Sequence, residues 1–429
     1  MKLKKSVLLL FLICITSEVS AQVARDLMNP QSHMVGARYL ALGITNPAVL
    51  GDINGLFINP AVVSGIDYMP FSFTNQRVLG FFDYKVLNSS FPFDIPIPFE
   101  NKTINQKVAI GLSYGSSTLE DIPETILENE GTKEKERVRP IGYFSSGFKI
   151  YQASIGASLY EMAGFNSLSM GAAMKIFNQF VKDQNRYAMS LDIGGIAVYH
   201  LNLPYLPYVN RMTVGGSILN LFSSQLEWAD IKSTSYLPFQ IFVGTGFDLL
   251  DDTVSVYINN SIEGIAFSGE WYLNNFVFRG SSNFKTFSLG TSLLFENITG
   301  IAYQDYSIRL DYSYAQNIYP FSGDPTHALS VSILGESKPR TPQILVPSEK
   351  TLTREKYFTL SGVGPKNTAI RIFNNGSMTR TAQANRLGNW RYPSFPLKEG
   401  NNEISVSSYI LDKDISPESE KVTLSLIHI

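Results

Sequence analysis

The chain alternates between apolar and polar positions. In the run Tyr306, Ile308, Leu310, Tyr312 and Tyr314 every second residue is apolar or aromatic, and Ser307, Arg309, Asp311 and Ser313 fall between them. Successive side chains of a strand point to opposite faces, so such a segment has one apolar face and one polar face. The pattern recurs in 108–114, 168–176, 187–193 and 287–295. Strands are predicted near 66–76, 80–92, 106–116, 142–150, 152–162, 167–180, 186–199, 211–221, 238–248, 253–262, 265–273, 276–283, 287–296, 304–315 and 326–335. That is about 14 or 15 strands. Either the two segments in 142–162 are one bent strand, or one candidate is a loop. Periodicity alone leaves open whether the apolar face turns to a protein core or to lipid.

The start of the chain narrows the choice. Lys2, Lys4 and Lys5, the apolar run Val7–Ile15 and the small-residue site Val19-Ser20-Ala21 predict a secretory signal peptide over 1–21. The single cysteine, Cys14, lies inside it, and Ile13 before it does not fit a lipoprotein box. The mature chain is therefore expected to carry no disulfide and no thiolate metal site. Charged residues make up 17% of the chain, below the ~25% of a soluble domain. With 12% aromatics and 32 glycines, an exported chain of this kind reads as a transmembrane barrel. After residue 21 no apolar run is long enough for a membrane helix, and only helices and closed barrels span lipid. The net charge of −2 gives no nucleic-acid footprint.

Taken in order, residues 22–65 alternate poorly and are rich in Gly, Pro and Asn, which predicts a compact irregular segment. Residues 66–336 carry the strands. Within them, 119–139 is dense in Glu, Lys and Arg and is expected to be a solvated loop. Aromatics among prolines in 200–210 and 317–326 suit a membrane interface. Residues 337–342 are a short proline-containing linker. Residues 343–429 read as about seven short strands with turn signals, a β-sandwich, with Trp390 as its core aromatic.

Gly36-Ala37-Arg38-Tyr39-Leu40-Ala41-Leu42-Gly43 and Asp52-Ile53-Asn54-Gly55-Leu56-Phe57-Ile58-Asn59-Pro60-Ala61 resemble the opening of the FadL-like outer-membrane proteins, PorV/PorQ branch. Gly269-Glu270-Trp271-Tyr272 with Phe278-Arg279-Gly280, and Asp311-Tyr312-Ser313-Tyr314 with Thr326-His327-Ala328-Leu329-Ser330, resemble later hairpins of that superfamily. Val62-Val63 stands where a small Gly-Leu often follows Asn-Pro-Ala. The resemblance implies that 22–65 is a hatch inside the barrel, marked by Gly36, Gly43, Asp52, Asn59, Pro60 and Ala61. It also implies a barrel of fourteen strands. Its function would be either a structural or secretion-associated role with envelope or secretion-machinery partners, or passage of hydrophobic small molecules. Phe358–Gly362, Ala369–Phe373, Gly388–Trp390 and Glu399–Val406 resemble a bacterial immunoglobulin-like domain.

Candidate chemistry is sparse. His33, His200, His327 and His428 show no metal spacing, and no nucleophile or phosphate-loop motif is present. The chain is not expected to be an enzyme or to carry a cofactor. A charge facing lipid at mid-depth costs about 2–4 kcal/mol, so Lys175, Asp192, Glu270, Arg279, Arg309 and Asp311 are expected in the lumen. If Asn274-Asn275 is a two-residue turn, Leu273 faces Phe276 and Glu270 stands opposite Arg279, as an ion pair. The expected protein is an all-β antiparallel transmembrane barrel in the outer membrane, with the sandwich in the periplasm. A secreted soluble β-protein is the outside alternative. For the transport reading, Met28, Met34, Leu40, Leu42, Leu56 and Phe57 either line a ligand path or pack the hatch.

Overall fold

The computed structural model describes residues 34–44, 46–66, 69–78, 82–99, 102–128, 137–160, 167–201, 208–227, 234–250, 253–261, 264–273, 275–283, 285–299, 305–317, 325–335, 341–347, 351–365, 368–385, 388–410, 413–416 and 418–426. The expected signal peptide, Met28 and His33 lie outside these residues, as do most of the linker and the centre of the charged segment. The chain divides into two compact units, Met1–Glu336 and Ser337–Ile429.

The first unit contains β1 (Pro70–Val78), β2 (Phe82–Phe99), β3 (Lys102–Glu128), β4 (Arg137–Tyr160), β5 (Ser167–Val181), β6 (Gln184–His200), β7 (Val209–Leu219), β8 (Gln225–Glu227), β9 (Thr234–Tyr236), β10 (Gln240–Leu249), β11 (Val254–Ser261), β12 (Gly264–Leu273), β13 (Phe276–Ser282), β14 (Thr286–Thr299), β15 (Asp305–Asn317) and β16 (Thr326–Gly335). Fourteen of them close into an antiparallel barrel in which each strand pairs with its sequence neighbours and β1 pairs with β16. The remaining two, β8 and β9, form a separate two-stranded ribbon. The stretch 142–160 is part of one strand, β4.

The barrel is inside out. Along β1, Ser72, Thr74 and Gln76 are fully buried, while Phe71 and Phe73 between them are exposed. Leu112, Ile155, Met170, Met174, Phe267, Phe278, Leu289 and Leu329 are likewise exposed around the outer wall. Their strand neighbours Ser113, Ser154, Ser169, Ala173, Ser268, Ser288 and Ser330 are buried. A soluble protein would leave this apolar wall against water. The arrangement is that of a transmembrane barrel, whose outer face meets lipid. The soluble alternative is set aside on this ground.

The described part of one expected loop is strand. The charge density of residues 119–139 predicts a solvated loop, yet β3 continues to Glu128 and β4 begins at Arg137. The ladder runs from Leu119↔Ser146 to Glu128↔Arg137, with register shifts at Leu119/Ile122 and Glu124/Thr125. Here β3 has passed Thr118, its last residue paired to β2, so both faces of the ribbon are open to solvent. Charged side chains are tolerated on both faces, and the two-residue period disappears from the sequence.

Inside the barrel sits the segment before β1. It holds a short helix, α1 (Ala37–Ala41), and two 3-10 turns, Ile53–Gly55 and Pro60–Gly65. Each 3-10 turn is capped by the residue before it: Asp52 accepts from the Asn54 N–H and Asn59 from the Ala61 N–H, at 3.1 and 3.0 Å. Pro60 occupies the first position of its turn, where a missing N–H costs nothing.

The second unit contains β17 (Gln343–Val346), β18 (Thr351–Thr353), β19 (Tyr357–Val363), β20 (Ala369–Asn374), β21 (Ser377–Gln383), β22 (Asn389–Pro396), β23 (Gly400–Ile410), β24 (Lys413–Ile415) and β25 (Val422–Leu426). These are two more strands than the expected seven. One sheet runs β17-β19-β22 and the other β18-β25-β23-β20-β21, with β24 on β23. The two share one apolar core. Ile344, Leu360, Trp390 and Phe395 of the first sheet meet Ile370, Ile372, Ile404, Val406 and Leu424 of the second. The unit is a β-sandwich, and Trp390 lies in its core, 2% exposed.

Candidate functional site

Among the described residues, the densest constellation of charged side chains joins the plug to the barrel wall. Glu270 on β12 stands opposite Arg279 on β13 in the register Leu273↔Phe276. Glu270 Oε1 lies 2.5 Å from Arg279 Nε. Arg279 Nη1 lies 3.4 Å from Asp311 Oδ1 on β15. The other oxygen of Asp311 is 2.8 Å from Nε of Arg309, two residues back on the same strand and so on the same face. Arg309 Nη2 reaches 2.9 Å to Asp52 of the plug. Asp52 lies 3.5 Å from Arg38 on α1. Arg38 closes the circuit by gripping Glu270 with two nitrogens, both at 2.7 Å.

The six groups form a closed ring of alternating sign: Arg38, Glu270, Arg279, Asp311, Arg309, Asp52. Three guanidiniums balance three carboxylates, so the ring is neutral as a whole. Planar guanidinium forks suit such geometry, because each presents several donors in fixed directions. Neutral donors complete it. The Tyr272 and Tyr257 hydroxyls donate to Glu270 Oε2 at 2.8 and 3.2 Å. Ser292 accepts from Arg279 and donates to Asp311. Every carboxylate is therefore held by donors. The arrangement anchors the plug and offers no free base or nucleophile.

Burial alone would raise the Asp52 carboxyl, but the Arg309 and Arg38 guanidiniums outweigh it and hold the group below its ordinary value. A carboxylate depressed in the folded state adds stability that is present above its unfolded value of about 3.9 and is lost as pH falls through the folded value. Thermal unfolding of the detergent-solubilised protein is therefore expected to be flat from neutral pH to about pH 4 and to drop below it. In Asp52→Asn that acid step should shrink.

Two smaller ion pairs lie elsewhere on the inner wall. Lys175 on β5 pairs with Asp192 on β6 at 2.7 Å, and both hold Asn220 beyond β7. Arg211 on β7 pairs with Asp248 on β10 at 2.5 Å. All six lumen candidates thus face inward, four of them in the ring and two in a separate pair. Sequence reading did not single out Arg38, Arg211, Asp248, Tyr257, Tyr272 or Ser292. Arg211 and Asp248 had a signal: each stands at an inward alternating position of its strand, as Lys175 does.

The plug motif residues act by fit. Asn59 donates to the Pro47 carbonyl at 2.8 Å and to the Gly195 carbonyl of β6 at 3.2 Å, tying the plug to itself and to the wall. A Cβ at Gly36 would run into the Asn54 side chain, and Gly43 has φ +85, a conformation that disfavours a side chain. Pro60 and Ala61 press against β5. The apolar plug residues fall into separate clusters. Met34 and Phe57 pack with Tyr84, Val86, Ile150 and Phe177, Leu42 with Phe242 and Tyr257, and Leu56 with Val63 and Ile196. They pack the plug in several places and do not line one path. Among the described residues no group of His, Cys, Asp and Glu side chains is placed to hold a metal.

The closed strand order, the exposed apolar wall and the inward segment define a plugged transmembrane β-barrel. No family model and no curated protein matches the chain. Among solved structures it is similar to outer membrane phospholipase A from Escherichia coli, at 13% identity, covering 62% of this chain and 96% of that one, with a TM-score of 0.23. It is similar to the beta domain of the Bordetella autotransporter BrkA, at 11% identity, 62% and 98% coverage and TM-score 0.27. For Pseudomonas putida OprB the values are 8%, 62%, 91% and 0.25. Scores this low carry no weight of their own, and the barrel assignment rests on its strand order and polarity.

Proposed function

We propose that the chain is an outer-membrane β-barrel of the FadL-like, PorV/PorQ kind that serves as a closed structural or secretion-associated component of the envelope. One observation carries this reading: the plug is fastened to the wall by the closed ion ring, and nearly all its described side chains are buried. A solute crossing the lumen would have to break that ring. In this reading both ends of the even-stranded barrel face the periplasm, and the sandwich, read as immunoglobulin-like, works there as a contact for envelope partners; the even strand number supports this reading. No enzymatic step is assigned to the chain.

The test is conductance in a planar lipid bilayer. The reconstituted full chain is expected to give no steady channel, and ion-scale conductance from the intact protein would overturn the closed reading. Protease added to intact cells should leave the sandwich uncut, and its cleavage from outside would overturn the orientation.

Transport of hydrophobic molecules is a second reading, favoured by one feature. Next to Met34 and Phe57 the inner wall turns apolar, with Val86, Ile150 and Phe177 facing inward and Phe148 stacked on Phe177 at 5.8 Å. A lumen patch of this kind suits an acyl or aromatic ligand. Saturable uptake of a labelled fatty acid that disappears in Phe177→Asp would favour it over the closed scaffold.

A further inference from the structure

The outer wall over β1 to β5 is not a smooth apolar band. A groove of about 420 Å³ is cut into it. Its floor is made of small residues: Ser89 on β2 and Ala153 on β4 stand in one cross-strand row with Leu112 and Met174. The Ser89 hydroxyl is turned away, donating to the Pro70 carbonyl at 2.9 Å, so it adds no free polar group to the floor. The next row toward the β1–β2 connection is Leu87, Tyr114, Tyr151 and Ile176. In it Tyr114 and Tyr151 pack ring against ring, with centroids 5.2 Å apart.

The row after that is polar. Asn75, Lys85, Ser116, Lys149 and Asn178 follow one another on five adjacent strands. Lys85 and Lys149 are exposed and flank Ser116 from either side. Adjacent strands lie about 4.8 Å apart, so the two lysine backbones are roughly 10 Å apart, a span that two long flexible side chains can close onto one anion. An apolar groove ends, therefore, directly below two cations and a hydroxyl, with two tyrosines at the boundary. Tyrosine belongs at headgroup level, where its ring is in hydrocarbon and its hydroxyl is wet.

We propose that this wall seats one anionic, phosphate-bearing membrane lipid. An acyl chain lies in the groove over Ser89 and Ala153, and the phosphate is held by Lys85, Lys149 and Ser116. The position of the groove inside the lipid-facing band fixes the occupant as a lipid. The order of the rows fixes its orientation, with the headgroup toward the barrel end opposite the chain entry into β1. The site needs only that the barrel crosses a membrane, so it is independent of whether the lumen conducts.

Native mass spectrometry tests it on the full chain in detergent micelles containing phosphatidylglycerol or phosphatidylcholine at equal mole fraction. One phosphatidylglycerol is expected to stay bound, and Lys85→Gln/Lys149→Gln should weaken its retention by about ten- to thirty-fold. Ala153→Trp, which fills the groove, should reduce retention with both lysines in place. Heat-modifiable mobility on gels confirms that each variant has folded. Equal retention of both lipids, or retention unchanged in both variants, overturns the site. Displacement of the lipid by an excess of inorganic phosphate alone overturns the acyl-chain half of it.

Discussion

Replacing Glu270 with alanine is expected to destabilise the seated plug by about 3–5 kcal/mol, roughly a hundred- to several-thousand-fold shift in the seating equilibrium. The size follows from what stays behind. Glu270 touches two arginines of different elements, Arg38 of the plug and Arg279 of β13, both within 2.7 Å. Their side chains are 7% and 2% exposed, so neither can recover the loss in water. An intact buried pair contributes little net stability, because desolvation offsets attraction, but a half-pair leaves the full desolvation cost uncompensated. The control is Glu124→Ala. The Lys182–Glu124 pair has the same 2.7 Å separation, but its side chains are 51% and 34% exposed. Solvent screens it, and its loss should cost at most about 1 kcal/mol. Seating can be read from a cysteine placed at Ser64 in the plug, a buried position. Maleimide should label it slowly in the parent and in Glu124→Ala, and fast in Glu270→Ala. Equal labelling in all three would show that the ring does not hold the plug.

Four of the six ring members were legible in the sequence as lumen charges. Alternation placed Glu270, Arg279, Arg309 and Asp311 on inner faces, and a two-residue turn fixed Glu270 against Arg279. Local rules suffice there, because the partners are nine residues apart. Arg38 is 232 residues from Glu270, and no periodicity links them. Arg38 stood in a motif that a resemblance marked as plug, where its charge carried no message. The partnership exists only because the barrel closes around the segment. The charged stretch 119–139 failed for the opposite reason. Alternation is a record of unequal faces, and a ribbon wet on both sides leaves no such record. The strand number and the inward candidates survive because the band between them has lipid on one side and plug on the other.

The inward glycines make the second large prediction, and its sign is the test. Gly-to-Ala in a strand interior ordinarily stabilises by about 0.5–1 kcal/mol, because alanine loses less freedom on folding. At Gly171 on β5 the opposite is expected. A Cβ there would lie 2.5 Å from the Pro60 carbonyl carbon and 2.6 Å from the Ala61 nitrogen, both backbone atoms of the plug. Backbone held by a 3-10 turn cannot swing aside as a side-chain tip can. The plug must back away from the wall, which opens the contacts of Asn59 and Val63 beside it. Overpacking of this kind costs about 1–3 kcal/mol for one methyl, and Gly171→Val should exceed it and leave the plug unseated. Gly195 is the internal control. It is also a barrel glycine, but it faces outward, and a Cβ there would find its nearest neighbour, the Ser169 carbonyl oxygen, at an ordinary 3.6 Å. Gly195→Ala is expected to be neutral or stabilising by thermal unfolding in detergent, and Gly171→Ala destabilising. The same contrast is built into adjacent residues of β6 and β7. An inward Cβ at Gly194 or Gly215 would strike Asn59 or the Pro47 backbone, whereas outward Gly195 and Gly216 have room. If both substitutions moved the unfolding temperature in the same direction, the glycines would be a property of the strands and not the seat of the plug.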